Sequence, residues 1–156
     1  MVDCSVAVKW VLYEAGHVQA LRLLEEEQSG GLMLIAPDLL LTEFASLIAK
    51  RVRRKHMSAA KAIDAFGRFN ESVPALFETR PLVEAALHLA VDGQMSLWDS
   101  VYLALALEHR CPLITADRRL FRGHSPRHPA IQSVELLGER PGFGPKARSS
   151  NFVLLR

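Results

Sequence analysis

Residues Met95–Leu120 read MSLWDSVYLALALEHRCPLITADRRL, and this stretch decides the fold class. Ser96 is a residue type that starts helices, and the segment from Leu97 to about Arg110 is apolar nearly all round, as expected of a buried helix. Pro112-Leu113-Ile114-Thr115-Ala116 follows as a short apolar run. A run of that length bounded by turn residues reads as a strand buried on both faces, the pattern of a parallel sheet. Asp117 closes the strand and can cap the next helix.

The same alternation extends upstream. Leu32–Ala36 is an apolar run closed by Pro37, too short for a buried helix and read as a second parallel strand. Asp38 is placed to cap a helix reaching Lys55, and Ser58 to cap another reaching about Ser72. Ala75 to Thr79 is a weak strand, and Pro81 opens a helix to about Asp92. Towards the start, Val2 forms a short strand leading into Asp3, and a helical turn follows over Ser5 to Leu12. A helix over His17 to Gln28 is then stopped by Ser29-Gly30-Gly31. Downstream, Ile131 to Leu136 is a last strand. Alternating strands and helices predict an α/β fold in three layers, a parallel sheet with helices on both faces. The domain is expected over residues 1–137. From Gly138 the composition turns to Gly, Pro, Ser and Arg, so residues 138–156 read as a tail outside it.

Composition agrees with a single globular domain and removes other classes. Of 156 residues, 49% are hydrophobic, too many for a disordered chain. No apolar run approaches the ~18 residues that span a bilayer. The chain opens Met1-Val2-Asp3 without a basic, apolar leader, so a cytoplasmic location is expected. Cys4 and Cys111 suit reduced thiols better than a disulfide framework. The net charge of +2 averages an uneven distribution: residues 1–49 and 57–117 are acidic, while residues 50–56 and 118–156 are basic. The charge is thus segregated along the chain rather than spread evenly.

In an open parallel sheet, ligands bind outside the carboxyl ends of the strands. Asp3 and Asp117 stand there, and Ser5 and Thr115 lie two residues from them. Taken singly, each aspartate is explained by helix capping. Glu43 and Asp99 are harder to dismiss. Glu43 has Leu39, Leu40 and Leu47 as helical neighbours, and Asp99 lies within the buried helix, although Ser96 and Asp99 also have capping-box spacing. Four carboxylates in one pocket repel one another unless a cation neutralises them, and all-oxygen ligands favour Mg2+ or Mn2+.

Three strings, MVDCSVAVKWVL, APDLLLTEFASLIAKRVRR and MSLWDSVYLALALEHRCPLITADRRL, closely resemble the PIN-domain ribonucleases in order and spacing, specifically the VapC-type toxins of toxin–antitoxin pairs. The resemblance runs from Met1 to about Leu137. It implies a mostly parallel five-stranded sheet and an acidic site for Mg2+ or Mn2+. It further implies RNA as substrate, a VapB-like antitoxin and a homodimer. Asp3, Glu43, Asp99 and Asp117 match the family's acidic positions and so are the expected catalytic and metal-binding residues. Ser5 and Thr115 match the adjacent hydroxyl positions. Relatives usually carry two or three more apolar residues before the first aspartate, so a first strand of Met1-Val2 is short: a misplaced or trimmed start would explain it, and a genuine one would weaken the sheet centre.

Other candidates rank lower. Arg118 and Arg119, with Arg122, are placed to hold a phosphate chain beside the metal. The run Lys50-Arg51-Val52-Arg53-Arg54-Lys55 fits RNA contact and a solvated helix end equally well. Trp10, Trp98 and Tyr102 lie in apolar stretches and read as core rather than base-stacking platforms. Cys4 reads as a buried thiol, and His124 and His128 as loop residues between prolines. Two rivals to a nuclease are a catalytically silent PIN-like module that binds RNA or protein, and a phosphotransfer domain of similar shape. The second needs a D-x-D-x-T type string, which Asp3-Cys4-Ser5-Val6-Ala7 does not supply.

Overall fold

The computed structural model describes residues 1–139, and over them helices alternate with short strands. The elements are α1 (Cys4–Val11), α2 (His17–Gln28), β1 (Ile35–Pro37), α3 (Leu39–Arg53), α4 (Ala59–Asn70) and β2 (Ala75–Phe77). They continue with α5 (Val83–Gly93), α6 (Leu97–Glu108), β3 (Leu113–Thr115), α7 (Arg118–His124) and β4 (Ile131–Ser133). Tight 3-10 turns occupy Arg80–Leu82 and Val134–Glu139. Most of the tail predicted from Gly138 lies outside the described residues.

The strands form two parallel pairs. Ile35 faces Ala75 in the β1–β2 pair, and Leu113 faces Ile131 in the β3–β4 pair. Val2 stands between the pairs. Its N–H donates to the Ile35 carbonyl at 3.1 Å, and it bridges in parallel to Ile114. Ile114 N–H donates to the Met1 carbonyl at 2.9 Å, and Asp3 N–H to the Ile114 carbonyl at 3.3 Å.

The expected five-stranded sheet is therefore corrected to two two-stranded sheets linked through one bridging residue. The physical reason is local. The Asp3 carboxylate accepts the Val6 N–H at 3.1 Å and starts α1 at Cys4, so the extended chain ends before a ladder can grow. The strand expected over Ile131–Leu136 is shortened in the same way, because Ser133 Oγ accepts the Glu135 N–H at 3.2 Å and the chain tightens into a 3-10 turn.

Helix starts mostly follow the expected residues. Ser58 accepts the Lys61 N–H and Ser96 the Asp99 N–H, as N-caps do. Asp38 departs from this. It precedes α3 without capping it, and its Oδ1 instead accepts the Thr79 N–H at 3.0 Å and the Thr79 hydroxyl, tying the start of α3 to the chain beyond β2. At the end of α2, Gly30 takes φ +74°, a left-handed conformation that glycine adopts without strain.

α6 explains its own composition. Ser100 to Ala106 are all buried, with α5 on one side and β1 and β3 also in contact, so no flank of its middle meets water. Phe44 of α3 and Phe69 of α4 stack with centroids 4.0 Å apart and are fully buried, which fixes α4 onto α3. Among the described residues no helix is long and apolar enough to cross a membrane.

Candidate active site

Asp3 directly follows the bridging Val2, and only 6% of its surface is exposed. Its Oδ1 accepts the Ser5 hydroxyl at 2.6 Å as well as the Val6 N–H. Ser5 Oγ also accepts the Ala116 N–H at 2.8 Å and lies 3.3 Å from Thr115 Oγ1, which in turn accepts the Asp117 N–H at 2.9 Å. A chain of two hydroxyls thus connects the Asp3 carboxylate to the backbone N–H of Asp117. Asp117 Oδ1 accepts the N–H groups of Arg119 at 2.7 Å and Leu120 at 3.2 Å and so starts α7.

The other two acids come from helices. Glu43 lies in the second turn of α3, and its Oε2 accepts the Tyr102 hydroxyl of α6 at 2.6 Å. Asp99, in the first turn of α6, accepts the Ser96 hydroxyl at 2.7 Å through Oδ2, while Ser96 Oγ accepts the Asp99 N–H at 3.1 Å. The predicted capping-box pair is present, with the serine hydroxyl rather than its backbone N–H reaching the acid.

Asp3, Glu43, Asp99 and Asp117 all line one cleft of about 530 Å3. One face of α3, from Leu39 through Ser46 to Lys50, forms a wall of it, and Ser5, Trp98 and Tyr102 contribute as well. Burial raises the Asp3 carboxyl to about 6 against the opposing pull of its Ser5, Thr115 and Val6 hydrogen bonds, with the Asp99 charge adding to the rise. Glu43 is also raised, first by burial and then by Asp99, while the Tyr102 hydrogen bond opposes. Asp99 is raised by burial and by Asp117, and is eased by Ser96, His124 and Arg119.

Among the described residues no three His, Cys, Asp or Glu side chains converge as a ready-made metal cage. Each of the four carboxylates is drawn to its own neutral donor instead: Ser5, Tyr102, Ser96 or the first N–H groups of α7. The donor set is nevertheless all oxygen and carries uncompensated negative charge. It fits a hard divalent cation in chemistry.

Residues 1–124 match the PIN domain family, spanning the bridge at Val2, all four acids and the whole of α7. The chain belongs to the PIN-domain family. PIN domains are in general nucleases that act on RNA or DNA and typically depend on a divalent metal, which makes this chain a nuclease-type hydrolase at that level of description. A comparison with curated proteins finds no match.

The remaining expected residues fall in different places around the PIN cleft. Ser5 lines it, whereas Thr115 is fully buried behind it. Arg118 points to Glu135, with Nη2 2.9 Å from Oε1, and neither Arg118 nor Arg119 is part of the cleft lining. Arg119 reaches the site through its charge, felt at Asp99 together with that of His124. Of the basic run at the end of α3, Lys50 lines the cleft and Arg51 pairs with Glu14. Cys4 also lines the cleft, and burial beside Glu43 and Asp3 pushes its thiol far up, which keeps it protonated and a poor nucleophile.

The aromatics divide. Trp10 and Tyr102 are buried as expected, but Trp98 is 57% exposed and lines the cleft, which corrects its reading as core. On α3, Thr42, Ser46 and Lys50 recur every four residues beside Glu43, a helical spacing that marks the cleft face of that helix.

Proposed function

We propose that this PIN domain is a Mg2+- or Mn2+-dependent endoribonuclease of the VapC toxin type, held in check by a VapB-like antitoxin. The observation that carries the reading is the convergence of four carboxylates from four separate segments on one cleft, three of them raised by burial and mutual repulsion. A bound divalent cation would supply charge neutralisation for the phosphate, activation of water and stabilisation of the leaving oxygen.

The chain's own residues set the stage for that chemistry. Asp3, Glu43, Asp99 and Asp117 would hold the cation, with Asp3 and Asp99 as the principal ligands. Ser5 and Thr115 fix Asp3 relative to Asp117, Tyr102 orients Glu43, and Ser96 orients Asp99. Arg119 adds positive charge that is felt at Asp99 and would offset the acids for an approaching phosphate chain. An antitoxin segment laid along the cleft would block it. The homodimer has a surface to use in the exposed apolar residues Val83, Leu87 and Val91, one helical step apart on α5.

A catalytically silent PIN-like binding module is the second reading, and the absence of a ready-made cage among the described residues favours it. Incubation of the purified protein with RNA separates the two. Cleavage in Mg2+, lost in EDTA and in Asp3→Asn and Asp99→Asn, is the expected result. Cleavage that persists through chelation and substitution would sink the metal mechanism, and no cleavage of any RNA would leave the silent module.

A further inference from the structure

The cleft is lined by two further side chains that metal binding does not use, one on α6 and one on α3. Trp98 stands at the start of α6 beside Asp99 and is 57% exposed, a large aromatic left open to water next to a charged site. Lys50 lies on the cleft face of α3, seven residues after Glu43 and therefore about 10 Å farther along the helix axis. Its neighbours do not share this position: Arg51 is turned to Glu14, and neither Arg53 nor Arg54 lines the cleft.

Neither residue is explained by the fold. A buried Trp98 would have stabilised the core, as Trp10 does by burying its ring and donating its indole N–H to the Ala20 carbonyl at 3.0 Å. Trp98 has no such partner among the described hydrogen bonds. Lys50 makes no ion pair among the described residues, although four carboxylates line the same cleft. An open aromatic face and an unpaired ammonium along one groove are the two elements with which proteins hold single-stranded nucleic acid: a stacking platform and a phosphate contact.

We propose that Trp98 stacks an unpaired base of the RNA next to the scissile phosphate, and that Lys50 binds a neighbouring phosphate of the same strand. This rests on the nuclease reading of the cleft and adds to it a subsite. The strand would lie in the cleft, held by an aromatic and a cation that line it together with the carboxylates. A base paired in a duplex cannot offer its face to Trp98, so the subsite selects single-stranded segments.

Tryptophan fluorescence tests the platform apart from catalysis, since the chain has two tryptophans and Trp10 is buried. An Asp99→Asn protein in Mg2+ is titrated with a mixed-sequence single-stranded RNA oligomer and, separately, with the same sequence as a duplex. The single strand should quench the emission, the duplex should not, and the additional substitution Trp98→Phe should abolish the quenching. In the active protein Trp98→Ala should raise KM roughly 5- to 150-fold with a smaller change in kcat, and Trp98→Tyr should recover most of it. Lys50→Ala should flatten the dependence of log Kd on log salt by about 0.7.

Equal quenching by duplex and single strand would overturn the inference, and so would an unchanged KM in Trp98→Ala. The nuclease reading stands or falls separately, on cleavage by the unaltered protein. Quenching without cleavage would keep the subsite and remove the catalyst.

Discussion

Asp3 is the one buried residue among the four acids of the cleft. Its carboxyl is raised from an ordinary 3.8 to about 6, so the folded protein holds this proton more tightly than the unfolded chain does. A raised acid contributes its stability below the unfolded value and loses it as pH rises through the folded one. At neutral pH without metal, the ionised group therefore destabilises the fold, by on the order of 3 kcal/mol for a fully buried acid. Asp3→Asn should then melt higher than the unaltered protein in EDTA at neutral pH, with the difference shrinking towards about pH 4. Thermal unfolding at the two pH values checks this, and an Asn variant that melts lower at both would refute it. Catalysis at limiting Mg2+ should fall as pH drops through about 6, since a proton then competes with the cation.

Tyr102 acts at the same scale through Glu43. Its hydroxyl supplies a hydrogen bond at 2.6 Å that opposes the upward shift of the carboxyl. Tyr102→Phe removes that donor and leaves the acid harder to ionise. The acid limb of the activity profile should move to higher pH and the Mg2+ requirement should rise, while the maximal rate at saturating metal and high pH changes little. An acid limb that stays in place would show that Tyr102 packs without tuning the acid.

At the scale of elements, Ser96 has two duties at the start of α6. It accepts the Asp99 N–H as a cap and donates to the Asp99 carboxylate. Ser96→Ala should cost about 0.5–2 kcal/mol in stability and also lower activity. Ser96→Thr should restore both. Ser96→Asp should restore the cap but place a second negative charge beside Asp99, so stability and activity part company. Melting temperature and cleavage rate measured on the three variants decide this, and parallel recovery in the Asp variant would count against the dual role.

The elements also show what could be read in advance. Ser58 and Ser96, followed by apolar helical segments, marked the starts of α4 and α6 because capping is a local interaction. Strand lengths were less legible. Where β4 stops depends on a turn-forming hydrogen bond between Ser133 and Glu135, and Asp38 was drawn away from α3 by Thr79, far along the sequence. The four acids could be named because Asp3 and Asp117 follow strands, Asp99 opens a helix and Glu43 sits on an otherwise mostly apolar helix face, each within a quoted string. Trp98 could not be placed, since a helix apolar nearly all round hides which residue meets water until its neighbours are positioned.

For the whole molecule, the weak point is the single residue between the two strand pairs. Val2 is fully buried, bridges Ile114 and donates to Ile35. Val2→Ala should destabilise the fold by about 1–3 kcal/mol. Because Asp3 follows it directly, the same change should weaken the Mg2+-dependent rise in melting temperature more than an equally destabilising change in the α3–α4 contact, such as Phe69→Leu. Equal losses of the metal effect in the two variants would show that the bridge supports the fold without governing the site.

Asp3 and Asp117 each start a helix with the side chain that also faces the cleft. Alanine at either position would remove a proposed ligand and a cap together, whereas asparagine removes only the charge, since it caps as well as aspartate. On the proposed toxin reading, cells selected for survival while expressing the gene should therefore yield well-folded escape variants at these two positions enriched in asparagine, which a single-nucleotide change in an aspartate codon can produce. Alanine escapees, also one nucleotide away, should appear chiefly as poorly accumulating protein.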